Sequence, residues 1–345
     1  MGMLRAWRAL GCIGLSLGLL LAFVGGPVSG QVQPAAAGAS AATADGQAWL
    51  ARIQQAAVTS NYQGTMMFSA GGVVSSTRVL QYCEGRQRYE RLEVLDGRAR
   101  LQYRHNDQSL TLWPGTKVAM VESRDPVHEF PALSSLTGGR ALEHYDLRDV
   151  GRDRIAGHEA EVLMLKPRDK HRFAQRLWAD RETGLMLRND VLGPNGDVLE
   201  SSAFTDVQLG VRPQPELVLR AMKKLDGYRV VRPQSDRTML ETEGWSMSKA
   251  VPGFQLISCT RRLLDAAADG APTSPVLQAV YSDGLAHVSV FIEPYDAQRH
   301  KQAMGTSLGA THTLMNRKGE WWITVVGEVP LATVQQFEAL LERKR

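Results

Sequence analysis

The chain has 345 residues, of which 43% are hydrophobic and 22% charged, and its formal net charge is +4. This length favours two domains over one, and the apolar content is ample for buried cores. The charge is too small to suggest a nucleic-acid partner, so we expect none.

The first thirty residues predict an export signal. "MGMLRAWRAL" supplies the basic start and "GCIGLSLGLLLAFVGG" the apolar run that follows it. Cleavage is expected after Gly30, or as late as Ala44 within an Ala-rich tract over 31–46. The alternative is a retained membrane anchor, because the apolar run is near the shortest length that spans a bilayer. Export by this route in a bacterium predicts a periplasmic protein.

Cysteine usage agrees with export but does not predict a disulfide scaffold. Only Cys83 and Cys259 remain after signal cleavage. They either pair across two domains in an oxidising compartment or stay buried and inert, and the strand-like setting of Cys83 favours the second reading. They suggest no metal site.

Residues 47–209 predict a large antiparallel sheet. "GQAWLARIQQAAVTS" has the spacing of one amphipathic helix, and short strand-like runs follow it, separated by turn signals such as Asn195–Gly196. The stretch "DPVHEFPALSSLTGGRALEHYDL" interrupts the strands and predicts a helix or lid. The fold class is therefore α+β: a large curved half-barrel with a helix and lid on its concave side, followed by a smaller α+β domain.

A strongly curved sheet with one covering helix either packs solid or leaves an apolar cavity. Alternation by itself marks an ordinary core face, which is the simpler reading for each apolar residue. The candidates for lining a lipid cavity are flexible or aromatic residues of this half: Met66, Phe68, Tyr82, Leu92, Leu101, Tyr103, Leu112 and Met120.

The pattern changes at 210–227, which we interpret as a linker containing the short helix "PELVLRAMKK". Residues 228–345 then predict the smaller domain. "QAVYSDGLAHVSVFIEP" predicts a hairpin with a two-residue turn at Asp283–Gly284 and one apolar face. The terminal helix should bury a stripe of four residues: Leu331, Val334, Phe337 and Leu341.

Enzyme chemistry is not predicted. "GTSLG" around Ser307 matches a nucleophile-elbow pattern, but that motif needs a strand before the serine and a helix after it, and here "ATHTLM" leads into a hairpin. The histidines lack metal-ligand spacing, and no phosphate-binding or dinucleotide glycine motif is present. We therefore expect no catalytic residues, metal or cofactor.

Several long strings resemble one protein family. "VYSDGLAHVSVFIEP", "WWITVVGEVPLATVQQF" and "AVPGFQLI" are similar to the C-terminal domain of the MucB/RseB proteins, negative regulators of an envelope-stress sigma factor in Gram-negative bacteria. "YQGTMMFS" and "HEAEVLMLKPRDKHRFAQRLWADRETGLMLRND" resemble the N-terminal domain of the same family. The resemblance runs from about Gln47 to about Leu341.

The resemblance implies a periplasmic regulator with a half-barrel similar to LolA. Such a protein binds the periplasmic part of a MucA- or RseA-type anti-sigma factor and shields it from regulated proteolysis. Lipid or lipopolysaccharide fragments in the large domain would release the partner, and the chain is expected to form a homo-oligomer such as a dimer. A lipoprotein or lipid carrier of the LolA type is the alternative. Because aromatic residues are enriched at binding hot spots, the partner-binding candidates are Trp245, Phe254, Tyr281, His287, Phe291 and Trp322.

Overall fold

The computed structural model describes residues 36–123, 141–263, 275–300 and 302–344. The predicted signal peptide, most of the predicted lid and residues 264–274 lie outside these residues. Within them the chain forms two large sheets and four helices. We call residues 36–231 the large domain and residues 234–344 the small domain.

The large domain is built on one sheet of twelve strands, in the order β12-β6-β5-β4-β3-β2-β1-β11-β10-β9-β8-β7. Neighbouring strands are antiparallel except β12, which lies parallel to β6. The strands are β1 (Tyr62–Ala70), β2 (Val73–Glu84), β3 (Gln87–Val94), β4 (Arg100–His105), β5 (Gln108–Trp113), β6 (Val118–Ser123), β7 (Tyr145–Ile155), β8 (His158–Pro167), β9 (Ala174–Asp180), β10 (Met186–Leu192), β11 (Val198–Leu209) and β12 (Arg229–Val231). The large antiparallel sheet expected from the sequence is confirmed.

Helices cover parts of this sheet. Helix α1 (Ala36–Thr59) buries Leu50 and Ile53 against strands β7 to β10, and it begins within the tract that the sequence assigned to an Ala-rich tail. A short helix, α2 (Ala141–His144), precedes β7. Helix α3 (Pro215–Lys223) buries Val218 over β2 to β6.

The position of α3 bears on the linker that the sequence predicted and on the burial of the large sheet. Residues 210–227 were interpreted as a linker, but α3 packs on the large sheet and β12 then adds a strand to it. The sheet is covered on both sides at this point, because β2 is buried on both faces from Val79 to Tyr82. Alternation in the sequence shows which residues share a face, whereas burial depends on what the rest of the chain lays over that face.

The small domain is a seven-stranded antiparallel sheet in the order β13-β15-β16-β17-β20-β19-β18. Its strands are β13 (Gln234–Arg237), β15 (Gln255–Leu263), β16 (Val276–Ser282), β17 (His287–Pro294), β18 (Met304–Leu308), β19 (Thr311–Lys318) and β20 (Trp321–Gly327). A separate two-stranded ribbon pairs β14 (Trp245–Met247) with β21 (Leu341–Arg343).

Helix α4 (Leu331–Leu340) closes the core of the small domain. Val334, Phe337 and Leu341 are buried as predicted, but Leu331 is exposed, because it is the first residue of the helix. The helix also ends earlier than expected, since Leu341 begins the strand that pairs with β14.

The β16–β17 hairpin differs from its prediction in the turn. Ser282 pairs with His287, so the loop has four residues, 283 to 286, rather than two. The Asp283 carboxylate explains the larger loop, because its Oδ1 accepts hydrogen bonds from the backbone N–H groups of Leu285 and Ala286. An aspartate that bonds to its own following backbone stabilises a wider turn. The predicted apolar face of β17 is buried.

Candidate functional site

The β16–β17 loop of the small domain inserts into the large domain. Leu285, at the tip of the loop, is 3% exposed and joins the apolar cluster under α1 that includes Ile53, Tyr145 and Leu163. A hydrophobic tip of this kind gains free energy only while the two domains stay docked. The loop is therefore a fixed contact between the domains.

A buried ion pair lies beside this tip. The Arg172 Nε donates to Asp283 Oδ2 at 2.7 Å, and neither side chain is exposed to solvent. Arg172 also donates to Asp169 Oδ2 and to the Pro252 carbonyl, and the Tyr145 hydroxyl donates to Asp283 Oδ2 at 3.2 Å. Both charged groups thus have polar partners around them, as buried charges require.

The same contact perturbs Tyr145. Burial, followed by the negative charge of Asp283, raises the pKa of the Tyr145 hydroxyl well above its usual range. The phenol therefore stays protonated near neutral pH and remains a donor to the carboxylate. The loop, the ion pair and the hydroxyl together form the contact that we call the Asp283 latch.

A second contact joins the domains around Phe173. Its ring stacks on His312 with centroids 6.1 Å apart, and it shares a small cluster with Ala310 of the small domain. Thr333 donates its hydroxyl to the His171 carbonyl at 3.0 Å. Gly309 has φ +58°, and a Cβ at this position would lie 2.7 Å from the Leu199 carbonyl, so the close approach requires glycine.

Glu200 lies at this second contact, and its carboxylate lacks a full set of hydrogen-bond partners among the described residues. Its side chain is 8% exposed, the Ala310 backbone N–H donates to it, and its Oε2 has no hydrogen-bond partner within the described residues. Burial first, and then the negative charge of Glu328 in the small domain, raise the pKa of Glu200 to about 7. The protonation of Glu200 is therefore linked to domain docking.

A cavity of about 480 Å³ opens on the large sheet between β1, β2 and β11. Its wall combines apolar side chains with the guanidinium groups of Arg78 and Arg91, which both pair with Glu93. Its volume lies in the range of small-molecule sites, and its wall also contains the Asp206 carboxylate. None of the eight predicted lipid-cavity residues lines this cavity.

The eight predicted residues lie on both faces of the sheet. Four of them, Tyr82, Leu101, Tyr103 and Leu112, pack together in the cluster under α3. The strand register places the remaining four on the opposite face, where Met66 is buried and the others are half-buried: Phe68, Leu92 and Met120. The structure accounts for the buried ones as core, and lipid contact at any of the eight stays a prediction.

The six predicted partner-binding residues include four that are buried and two that are half-buried. Trp245, Phe254 and Tyr281 are buried in the core of the small domain, and Trp322 is 5% exposed and stacked on His300. Their aromatic character is explained by packing. The two candidates with accessible surface are His287 and Phe291, which are half-buried. They lie on the face of β17 that is opposite to its buried apolar face, and their role stays a prediction.

The structure supports the interpretation of Ser307 as a residue without catalytic role. It lies in the exposed edge strand β18, opposite His312, and the chain continues into β19 instead of a helix. Cys83 and Cys259 are free, and burial raises the pKa of both thiols, that of Cys259 to about 11. In the described part of the chain, no group of three or more His, Cys, Asp or Glu side chains is placed to hold a metal ion.

Comparison with known proteins gives a consistent result over both domains. Residues 45–223 match the MucB/RseB N-terminal domain family, and residues 239–342 match the MucB/RseB C-terminal domain family. The sigma factor AlgU regulatory protein MucB of Pseudomonas aeruginosa is 31% identical over 299 residues, which are 85% of this chain and 89% of that protein. The sigma-E factor regulatory protein RseB of Escherichia coli K12 is 26% identical over 302 residues, or 87% of this chain and 91% of that protein.

Comparison with solved structures gives the same family. A crystal structure of MucB in complex with MucA(peri) matches 87% of this chain and 100% of its own, with a TM-score of 0.64 and 28% identity. The complex structure of Pseudomonas aeruginosa MucA/MucB matches 87% of this chain and 99% of its own, with a TM-score of 0.65. No helix within the described ranges is both long and apolar enough to cross a membrane.

The two family matches cover the two domains in the order in which the sequence predicted them. The relatives are named as regulatory proteins of the sigma factor AlgU and of sigma-E, which confirms the expectation of a regulatory family rather than an enzyme family. This chain belongs to the MucB/RseB family of sigma-factor regulatory proteins.

Proposed function

We propose that this chain binds the periplasmic domain of a MucA- or RseA-type anti-sigma factor and shields it from regulated proteolysis. The stress sigma factor then stays inactive until the complex dissociates. The observation that carries the proposal is the similarity to MucB in its complex with MucA(peri), which covers 87% of this chain and includes both domains. Its site of action would be the periplasm, reached through the predicted export signal, and it would act as a homo-oligomer such as a dimer.

Release of the partner by a lipid or lipopolysaccharide fragment is the second part of the proposal. The cavity of about 480 Å³ in the large sheet, with Arg78 and Arg91 in its wall, supports it. Driving a two-state equilibrium from 1:99 to 99:1 takes about 5.5 kcal/mol of differential affinity. Burial contributes about 0.8 kcal/mol per methylene, so roughly seven methylenes buried in only one state would be sufficient. One acyl chain can therefore supply the energy.

The test is a protection assay on the exported protein. The periplasmic domain of the organism's own MucA-type protein is incubated with its site-one protease, with and without this chain, and the cleavage rate is followed by gel. We expect cleavage to slow in proportion to the complex formed and to recover when lipid A fragments are added. Unchanged cleavage at saturating protein would contradict the proposal.

Two variants locate the partner surface. Phe291→Ala removes an accessible aromatic from β17, whereas Ser289→Ala changes the same face of the strand without removing an aromatic contact. If Phe291 contacts the partner, only the first variant weakens protection. Equal protection by both variants would show that Phe291 does not contact the partner.

A lipid or lipoprotein carrier is the second candidate function, favoured by the cavity in the large domain. It predicts transfer of a bound lipoprotein to an acceptor and requires no anti-sigma factor. The small domain has no role under this hypothesis. Transfer without protease protection would favour the carrier.

A further inference from the structure

A second cavity, of about 230 Å³, lies between the two domains and has a different chemistry. Glu122 and Ser123 at the end of β6 form its large-domain wall. The small-domain wall comes from Pro233 and from five polar side chains of β13 and β15: Ser235, Arg237, Ser258, Thr260 and Arg262. We call this cavity the Thr260 pocket.

The strand register explains why five polar side chains converge here. Arg237 lies directly opposite Thr260, and Ser235 lies directly opposite Arg262. Directly opposed residues and residues two apart share one face of a sheet. The polar face is therefore built by the alternation of β13 and β15, and it is directed at the end of β6.

Two buried polar atoms in this pocket have no hydrogen-bond partner within the part of the chain that the structure describes. Thr260 is 6% exposed, and its Oγ1 makes no hydrogen bond within the described residues. The Nε of Arg262 is likewise buried without a hydrogen-bond partner among them. Buried polar groups in native proteins are nearly always satisfied, and leaving one unsatisfied is costly. Two such atoms in one pocket point to a ligand that supplies acceptors.

The charges specify the kind of ligand. Arg237 and Arg262 bring two positive charges, and Glu122 brings one negative charge, so the pocket has a surplus of one positive charge. The Arg262 guanidinium approaches Glu122 at 3.8 Å, which is an ion-pair separation but too long for a hydrogen bond. A guanidinium beside hydroxyl donors suits an oxyanion, which accepts from several directions at once.

We propose that the Thr260 pocket is a binding site for a phosphate-type oxyanion, carried either by a small molecule or by a lipid headgroup. The Arg262 Nε and the Thr260 hydroxyl donate to its oxygens, and Arg237 adds charge at the open side. Because the facing wall belongs to the other sheet and includes the Ser123 hydroxyl, which can donate, the bound anion lies between the two domains. A ligand that binds only the docked arrangement at a hundredfold excess over its Kd raises the ratio of docked to undocked molecules about a hundredfold.

The test is calorimetric titration of the purified exported protein with inorganic phosphate at constant ionic strength. A charge-assisted hydrogen bond to an anion corresponds to roughly a tenfold to hundredfold change in affinity. We expect Arg262→Gln to weaken phosphate binding by about that factor, and Thr260→Val to weaken it by a smaller one. Thr260→Val is isosteric and removes a hydroxyl that has no hydrogen-bond partner among the described residues, so we expect it to leave the unliganded fold intact.

Arg261→Gln is the matched control. Arg261 precedes Arg262 on β15, points to the opposite face, lies 3.9 Å from Glu243 and is half exposed, so its loss removes the same charge without touching the pocket. Unchanged affinity in this variant, with losses in the other two, supports the site. Equal losses in Arg261→Gln and Arg262→Gln, or unchanged affinity in Thr260→Val, would overturn it.

Vesicles distinguish the source of the oxyanion. Phosphatidylglycerol vesicles are compared with phosphatidylcholine vesicles, whose headgroup carries no net charge. Binding of free phosphate without vesicle binding assigns the site to a small molecule, whereas binding only to phosphatidylglycerol, lost in Arg262→Gln and Thr260→Val, assigns it to a headgroup. Absence of saturable binding in both experiments refutes the proposal. The partner protein is absent throughout, so the result is independent of the proposed function.

Discussion

Two places where the domains meet each hold an arginine, and they are built in opposite ways. At the Asp283 latch, Arg172 is fully buried and donates to Asp283, Asp169 and the Pro252 carbonyl. At the Thr260 pocket, Arg262 is about one quarter exposed, has one distant carboxylate and a buried Nε without a partner among the described residues. At the first contact the arginine finds its hydrogen-bond acceptors within the protein. At the second contact, hydrogen-bond donors without an acceptor among the described residues remain for a ligand. The comparison suggests that the latch holds the domains together and that the pocket adjusts how firmly they dock.

The largest effect is expected at the latch. Asp283→Ala leaves the buried Arg172 guanidinium with the part-exposed Asp169 as its remaining carboxylate partner. Breaking a buried ion pair costs about 3 to 5 kcal/mol of unfolding free energy, and the surviving Asp169 contact places the expected loss near the lower end of that range. Chemical denaturation measures it. Arg168→Gln is the control, because the Arg168–Asp146 pair is about half exposed and should contribute little. If Asp283→Ala were as stable as the control, the latch would not be holding the domains.

Glu200 should make docking depend on pH. Its pKa of about 7 in the folded protein exceeds the 4.5 of an unperturbed glutamate, so the folded state binds the proton more tightly. Its contribution is therefore fully present below pH 4.5 and is lost as pH rises through 7. A difference of this size corresponds to about 3 kcal/mol. Denaturation at several pH values should show the loss in the wild type and a flatter profile in Glu200→Gln.

Glu328→Gln is the companion variant. It removes only the charge repulsion and leaves the burial that causes most of the shift, so it should lower the pKa of Glu200 in part. If the unfolding free energy of Glu200→Gln depended on pH as strongly as that of the wild type, a group other than Glu200 would be titrating at the interface.

A smaller effect is expected from Tyr145→Phe. The variant removes the hydroxyl that donates to Asp283 Oδ2 at 3.2 Å and keeps the ring in the cluster under α1. A hydrogen bond to a charged group contributes about 1.5 to 3 kcal/mol, and the Arg172 contact remains to hold the carboxylate. We therefore expect a loss near the lower end, measured by denaturation. In the Asp283→Ala background the same change should cost much less, and equal costs in both backgrounds would argue against a shared network.

The smallest effect is expected from Thr260→Val without ligand. Its hydroxyl is buried but makes no hydrogen bond in the described part of the chain, so replacing it by a methyl group should change the unfolding free energy by less than about 0.5 kcal/mol or raise it slightly. Tyr145→Phe and Thr260→Val each remove one buried hydroxyl, but only the Tyr145 hydroxyl makes a hydrogen bond among the described residues. The difference between their effects on the unfolding free energy therefore measures the hydrogen bond and not the burial of a hydroxyl. Losses of similar size in both would mean that the Thr260 hydroxyl already has a partner.

Local patterns predicted much of the fold. Alternation in β2 correctly separates Val79 and Gln81 from Leu80 and Tyr82, and helix periodicity correctly buries Val334 and Phe337 under the small sheet. Aromatic side chains carry less information about the sites than periodicity carries about the fold. Trp245, Phe254 and Tyr281 are as suited to a core as to a partner surface, and their side chains alone do not distinguish the two.

The sequence by itself determined the family, the two-domain order, the strands and the faces that residues share, because these depend on spacing along the chain. Only the tertiary structure decided which faces are covered and which polar groups meet. Asp283 and Arg172 are 111 residues apart, and Arg262 approaches Glu122 at 3.8 Å across two sheets. Such contacts depend on how the sheets dock, which is a long-range packing outcome that no local pattern specifies. The Asp283–Gly284 turn shows the difference: its signal predicted a hairpin, and docking made that hairpin a latch.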